Sequence, residues 1–303
     1  MTSKGIYTSR RTHKKRVRYG KCIIIFIALC LVGYSIFKSV NSIYNLTINH
    51  KLTQKNDNDN YLNKISDDTV NSNDPIIQAL LEKANNNPKV AMILSNIDLY
   101  PKELLELASK KDELIDYVAN YPKHDLKSSE PISITNEYIK GEIPHFIQWD
   151  DRWGYDKYGS EFMAINGCGP TSLAMVAVGL TGNIQINPKY VADFSERNGY
   201  VIKGQGSTWT LMSEGAKNFG LKSKELSLRK SVIINTLKNG QPIIAAMGPG
   251  TFTSTGHFLV LSGIDRNNKI IINDPNSKIK SNQTWNIDIF MKETKNLWTF
   301  TAK

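Results

Sequence analysis

The segment Gly167-Cys168-Gly169-Pro170-Thr171-Ser172 places a thiol where a loop passes into a helix. Pro170 has its φ preset and no N–H to lose, which suits the first helical turn. Leu173, Val176, Ala177 and Leu180 then recur at helical spacing, predicting an amphipathic helix over 169–181. Cys168 therefore sits at the positive end of a helix dipole. A thiol so placed has its anionic form stabilised, and the thiolate is the species that attacks a carbonyl carbon. The competing role is a buried structural cysteine, since free cysteine is among the most buried residue types.

A cysteine nucleophile needs a base, and the base needs a group to orient it. Downstream of the N-terminal apolar run the histidines are His50, His124, His145 and His257. His50 falls in a polar tether and His124 in a polar connector. His257 opens the apolar run Phe258-Leu259-Val260-Leu261 behind a glycine-rich approach, Gly248-Pro249-Gly250 and Gly256, so a strand edge would hold it rigidly. If Asp265 to Asn268 form a hairpin turn, Ile264 pairs with Lys269. Leu259 then lies opposite Asp274, and His257 opposite Asn276. Asp274 becomes the diagonal neighbour of His257 on the same face, within reach of an imidazole, while Asn273 faces the other way. Asn276 is a geometric rival as orienting group. Gln148, twenty residues before Cys168 and at the end of a predicted strand, can offer a side-chain N–H to an oxyanion beside the Cys168 backbone N–H. This chemistry requires no cofactor, and no His/Glu constellation has metal-ligand spacing.

The elements that must position these groups fall in the second half of the chain. Strands are predicted at 143–148, 242–247, 257–264 and 269–274, and helices at 169–181, 188–197, 207–219 and 230–239. Late hairpin-linked strands with one helix behind the nucleophile imply an α+β domain with a mostly antiparallel sheet, over 140–303. Upstream, Asp74-Pro75 and Tyr100-Pro101 start helices in a helical segment over 74–125. Residues 38–73 have the composition of a flexible linker. Cys22 to Phe37 are sixteen residues without a charge, flanked by a basic tail over 1–21 and by Lys38. They span about 24 Å as a helix, and snorkelling lysines can complete a membrane crossing with the tail in the cytoplasm. The half of the chain that carries these groups is then extracellular.

The formal net charge of +10 belongs to the N-terminus. Residues 1–56 hold eleven Lys and Arg and no acid, which leaves −1 for everything from residue 57 on. A nearly neutral folded part gives no support for a nucleic-acid surface. Cys22 and Cys30 lie in the apolar run, so Cys168 has no partner for an internal disulfide in the remainder. A lone thiol in an oxidising compartment is a liability unless it has a use.

Four blocks, IPHFIQWDDRWG from Ile143, NGCGPTSLAMVAVGLTG from Asn166, MGPGTFTSTGHFLVLSGID from Met247 and NDPNS from Asn273, together resemble the papain-like cysteine peptidases of the bacteriocin-processing type, in their stand-alone branch. The resemblance implies a papain-like fold with Cys168 as nucleophile, His257 as general base, Asp274 as orienting acid and Gln148 in the oxyanion hole. YPKELLEL from Tyr100 and DYVANYP from Asp116 are similar to the N-terminal extension of stand-alone members. Bacteriocin processors are fused to a transporter and act on the cytoplasmic side, so their leader specificity does not carry over to an outward-facing chain. The expected protein is a membrane-anchored cysteine peptidase acting on a peptide or protein. The alternatives are a peptidoglycan peptide amidase or endopeptidase, and a non-catalytic peptide-binding domain of the same fold. The helical segment could be an inhibitory propeptide, a spacer or a docking surface.

Overall fold

The computed structural model describes residues 31–32, 35–44, 46–47, 53, 58–124 and 131–303. The expected membrane span, 22–37, lies largely outside them and the basic tail wholly so. Among the described residues no helix is long and apolar enough to cross a membrane. The described chain forms two compact units, one within Met1–Ser72 and Leu81–Ser95, the other within Asn73–Leu80 and Asn96–Lys303. In the first, the helix Pro88–Leu94 starts on Asn87, whose side chain accepts the Lys89 N–H, and buries Val90, Ala91, Ile93 and Leu94. The expected start at Asp74 is also formed, with its carboxylate accepting the Ile76 N–H at 2.8 Å.

The second unit includes the helices Lys102–Lys110 and Ile115–Asn120, joined by a tight turn at Asp112–Leu114. Two small hairpins follow, β1 (Lys157–Tyr158) with β2 (Glu161–Phe162) and β3 (Val201–Ile202) with β4 (Gly206–Ser207). The main sheet contains β5 (Leu221–Glu225), β6 (Ile243–Met247), β7 (His257–Ile264), β8 (Ile270–Asn273), β9 (Thr284–Trp285) and β10 (Thr294–Ala302), in the order β5-β10-β6-β7-β8-β9. Every neighbouring pair is antiparallel. Period-two alternation divides its side chains between two cores. Ile244, Ala246, Phe258, Val260, Trp298 and Phe300 meet the Cys168–Thr181 helix, while Ile243, Leu259, Leu261 and Ile272 meet Ile233, Leu237 and Phe290 from helices on the other face.

The Cys168–Thr181 helix is not amphipathic as its spacing predicts. Every residue from Gly169 to Val178 is buried, Thr171 and Ser172 included. A helix enclosed on all sides needs no polar face. The Ser172 hydroxyl donates to the Phe258 carbonyl at 3.3 Å and so ties the helix to β7. Gly182 ends it with φ 71°, a left-handed cap in which its N–H reaches the Val178 carbonyl.

Two other expectations are corrected. The predicted helix over 207–219 breaks into the end of β4, a turn of helix at Thr210–Ser213 and a tighter turn at Gly215–Phe219. Residues 143–148 form no strand. Their backbone is bonded to side chains and loops instead. The Asn273 amide donates to the carbonyls of Ile143 and Pro144 at 2.9 and 3.1 Å, the Trp153 indole donates to Ile147, and the Gln148 N–H donates to the Pro275 carbonyl at 2.7 Å. Because the Asn273 side chain accepts only from Ser262 and otherwise donates, a carboxylate there would face two carbonyl oxygens. Asn273→Asp is expected to destabilise the fold by about 1–3 kcal/mol, read from the shift of the urea midpoint, whereas Ser262→Ala costs less.

Candidate active site

The hairpin of β7 and β8 positions two of the expected residues through a pair of compensating irregularities. The turn is one residue longer than the spacing suggests, with Ile264 paired to Ile270 and Asn268 in the left-handed region at φ 57°. A bulge between Leu261 and Gly263 then absorbs the extra residue, so that Leu261 pairs with Ile272 and Val260 with Asn273. The expected register is thereby restored at the end that matters. His257 Nε2 lies 2.7 Å from Asp274 Oδ1, with both side chains almost fully buried. Asn276, the geometric rival, contributes its backbone N–H to the same carboxylate oxygen at 2.8 Å.

With Nε2 on Asp274, Nδ1 is the imidazole nitrogen left for Cys168, which lines the same cavity and bears electrostatically on the ring. Cys168 is the first residue of its helix and is half-buried, the one break in an otherwise buried run from Gly167 to Val178. Gly169 lets β4 approach here, since a Cβ at that position would lie 2.2 Å from Ser207 Oγ. The Ser207 hydroxyl is itself held by Tyr158 at 2.6 Å. Cys168 and His257 open on one cavity of about 480 Å³, whose walls include Ile202, Trp209, Gly248 and Lys295. Trp209 is 48 % exposed and leans edge-on against Trp298.

Electrostatics couple these groups. Burial works against a charged His257, but the Asp274 carboxylate, by charge and by hydrogen bond, and the Cys168 thiol outweigh it and push the imidazole up to about 10. Burial likewise works against an ionised Asp274. The His257 imidazolium, the Asn276 N–H and the Lys280 ammonium overcome it and hold the carboxyl below its usual range. The resulting stabilisation of the folded chain is complete on the acid side of the ordinary histidine range and disappears as pH rises through about 10. The Asp274 contribution is present above the ordinary carboxylate range and is lost as pH falls through its lowered value.

Gln148 is 1 % exposed and is not among the residues lining the cavity. Its Nε2 donates to the carbonyls of Ala164 at 2.8 Å and Ile165 at 3.2 Å, and its Oε1 has no protein partner. The amide thus fastens the loop before β1 to the turn that leads into Cys168. His124 lies tilted against the Tyr155 ring, with centroids 4.3 Å apart. His145 belongs to the site's framework: its half-buried ring donates from Nε2 to the Asp274 carbonyl at 2.8 Å, and desolvation lowers its affinity for a second proton. Nothing in the local sequence marks His145 or Trp209, because each meets a partner far away along the chain. Among the described residues no group of three or more His, Cys, Asp or Glu side chains is arranged to hold a metal ion.

The family model described as the Peptidase_C39 like family matches residues 140–303, more than half of the chain, and the chain belongs to that family. Its kind is therefore that of a cysteine peptidase. Among solved structures, the chain is similar to the peptidase domain of Streptococcus ComA, described as a bi-functional ABC transporter involved in a quorum sensing pathway. The two are 22 % identical, and the match covers 46 % of this chain and 93 % of that one at a TM-score of 0.34. None of the curated proteins matches the chain.

Replacing Asp274 by Asn removes the charge that opposes burial of the imidazolium. The pH at which His257 is half protonated, followed by the 15N shifts of its ring, is expected to fall from about 10 to the ordinary value of about 6.5 or below.

Proposed function

We propose that the chain is a membrane-anchored, outward-facing cysteine peptidase in which Cys168, His257 and Asp274 carry the reaction. The observation that supports this most directly is the buried imidazole bonded to a buried carboxylate, opening beside a half-buried thiol on one cavity. The reaction begins as the Cys168 thiol gives its proton to His257, leaving a thiolate beside an imidazolium. The sulfur attacks the peptide carbonyl carbon, and the resulting oxyanion receives hydrogen bonds at the helix N-terminus. His257 passes its proton to the leaving amine, and a thioester forms. It next takes a proton from water, whose oxygen displaces the sulfur and releases the acid. Asp274 fixes the ring and its charge throughout. Gln148 can join the oxyanion hole by exchanging one carbonyl partner for the substrate oxygen.

The cavity supports a peptide as substrate. Ile202 and Trp209, 41 and 48 % exposed, give an apolar wall for a side chain, and Lys295 adds a cation at its rim. The anchor is proposed on sequence alone, from the uncharged stretch 22–37 behind a basic tail. Retention of the full chain in the membrane pellet after alkaline extraction, with the folded part open to external protease in intact cells, is the expected result. Release into the supernatant rejects the anchor.

A fluorogenic peptide library incubated with the full chain tests the activity. Cleavage that falls about a thousandfold or more in Cys168→Ala and in His257→Ala is expected. Cleavage unaffected by Cys168→Ala removes the thiol from the reaction. For a peptide that is cleaved, Trp209→Ala is expected to raise KM several-fold and leave kcat near the wild-type value, since the indole lines the cavity and is assigned no part in the bond-making steps.

A further inference from the structure

Asp274 lies one residue beyond β8, so the ladder alone does not place its carboxylate. The turn from Asp274 to Ser281 does. Within it, the Asp274 N–H donates to Ser281 Oγ at 2.8 Å, the Ser281 hydroxyl donates to the Ser277 carbonyl at 2.8 Å, and Ser277 Oγ accepts the Lys280 N–H at 3.1 Å. A turn bonded mainly to itself can still move as a body unless something outside holds it. His145 and the Gln148 N–H hold the near end, at the carbonyls of Asp274 and Pro275.

The far end is held by Glu113. One carboxylate oxygen accepts the Ser277 hydroxyl at 2.6 Å and the other accepts the Ile279 N–H at 3.0 Å. Glu113 comes from the helical segment that precedes the peptidase half. Its own turn is fixed by Leu114, Ile115 and Val118, each at most 2 % exposed. The segment has further bonds to the peptidase half, where the Tyr155 hydroxyl donates to the Tyr117 carbonyl at 2.5 Å beneath stacked rings and the Asn120 amide donates to Asp151 at 3.2 Å. The ammonium of Lys111 also faces Asp274 and Glu113 from this segment. None of the residues lining the Cys168 cavity comes from it.

We propose that Glu113 is a positioning residue for the Cys168–His257–Asp274 centre, and that residues 111–120 are a permanent bracket of that centre, not a removable inhibitory pro-segment. The proposal rests on the catalytic role given above to those three residues. The bracket needs two hydrogen bonds, not a charge. A glutamine at 113 can accept from the Ile279 N–H and donate to Ser277 Oγ, whereas an alanine can do neither. Loosening the turn frees Asp274, and His257 then holds its proton less well against burial. The charged groups that bear on this pair are Cys168, Lys111, Lys280 and Glu113, with His145 on the Asp274 carbonyl.

The test is the rate at which iodoacetamide alkylates Cys168 across pH in the full chain. It is resolved at that residue by mass spectrometry, because Cys22 and Cys30 also react. Near neutral pH the rate is expected to fall about tenfold in Glu113→Ala, less in Ser277→Ala, which keeps the Ile279 bond, and little in Glu113→Gln. A wild-type profile in Glu113→Ala, beside a changed one in His257→Ala, overturns the bracket and leaves the catalytic role standing. Equal losses in the alanine and glutamine variants also overturn it, because the charge would then be what matters. A profile indifferent to His257→Ala removes the catalytic pair, and the bracket with it. If Glu113→Ala does not fold, the comparison of Ser277→Ala with Glu113→Gln decides alone.

Discussion

The contact between Asp274 and His257 is the constraint around which the rest of the site is organised. Two groups that can both be charged lie 2.7 Å apart with side chains 1 and 5 % exposed. Neither would tolerate such burial without the other, since an uncompensated buried charge costs about 3–5 kcal/mol. The arrangement works only if the carboxylate keeps further donors, and the Asn276 N–H supplies one. Its place is fixed through backbone groups on either side: the Asp274 N–H on Ser281, the Asp274 carbonyl on His145 and the Pro275 carbonyl on Gln148. Much of what looks irregular nearby, including the unpaired stretch 143–148 and the short helix Lys278–Ser281, is the hydrogen-bonding apparatus of that one contact.

The sequence carried the pairing of His257 with Asp274 through alternation rather than through the turn. A four-residue turn at Asp265–Asn268 would give the right register at Asp274, and so does the longer turn with a bulge near Ser262. The two routes agree because side-chain parity is what burial enforces on both strands. Ile272 and Leu261 must face the core whatever happens at the tip. Turn chemistry near Asn268 is local and cheap to alter, whereas reversing the faces of β8 would expose Ile270 and Ile272 and bury Ile271, which is 36 % exposed. Burial thus protected the site from an error in the loop.

What remained illegible was set by distant partners. Periodicity finds a strand in 143–148, but those residues spend their backbone groups on Asn273, Trp153 and Pro275, which no local pattern announces. The same holds for the helix after Cys168, where the apolar spacing implied one buried face and the structure encloses Thr171 and Ser172 as well. Small side chains there carry the packing: Gly169 meets β4 and Ser172 bonds to β7. Glu113 sits in a run of charged residues, Lys110 to Glu113, that reads as a solvated surface until Ser277 and Ile279 are brought to it.

The exposure of Cys168 bears on the two roles its sequence allows. A structural cysteine at the start of so buried a helix would be enclosed like its neighbours Gly167, Gly169 and Pro170. Instead the thiol alone breaks the buried run, and it does so into the cavity that His257 also lines. Leaving a small apolar group partly solvated gains nothing for stability, while the cavity it opens on is shared with the His257 imidazole. The local packing thus leaves the sulfur and the imidazole on one cavity, the arrangement from which the nucleophilic role is proposed.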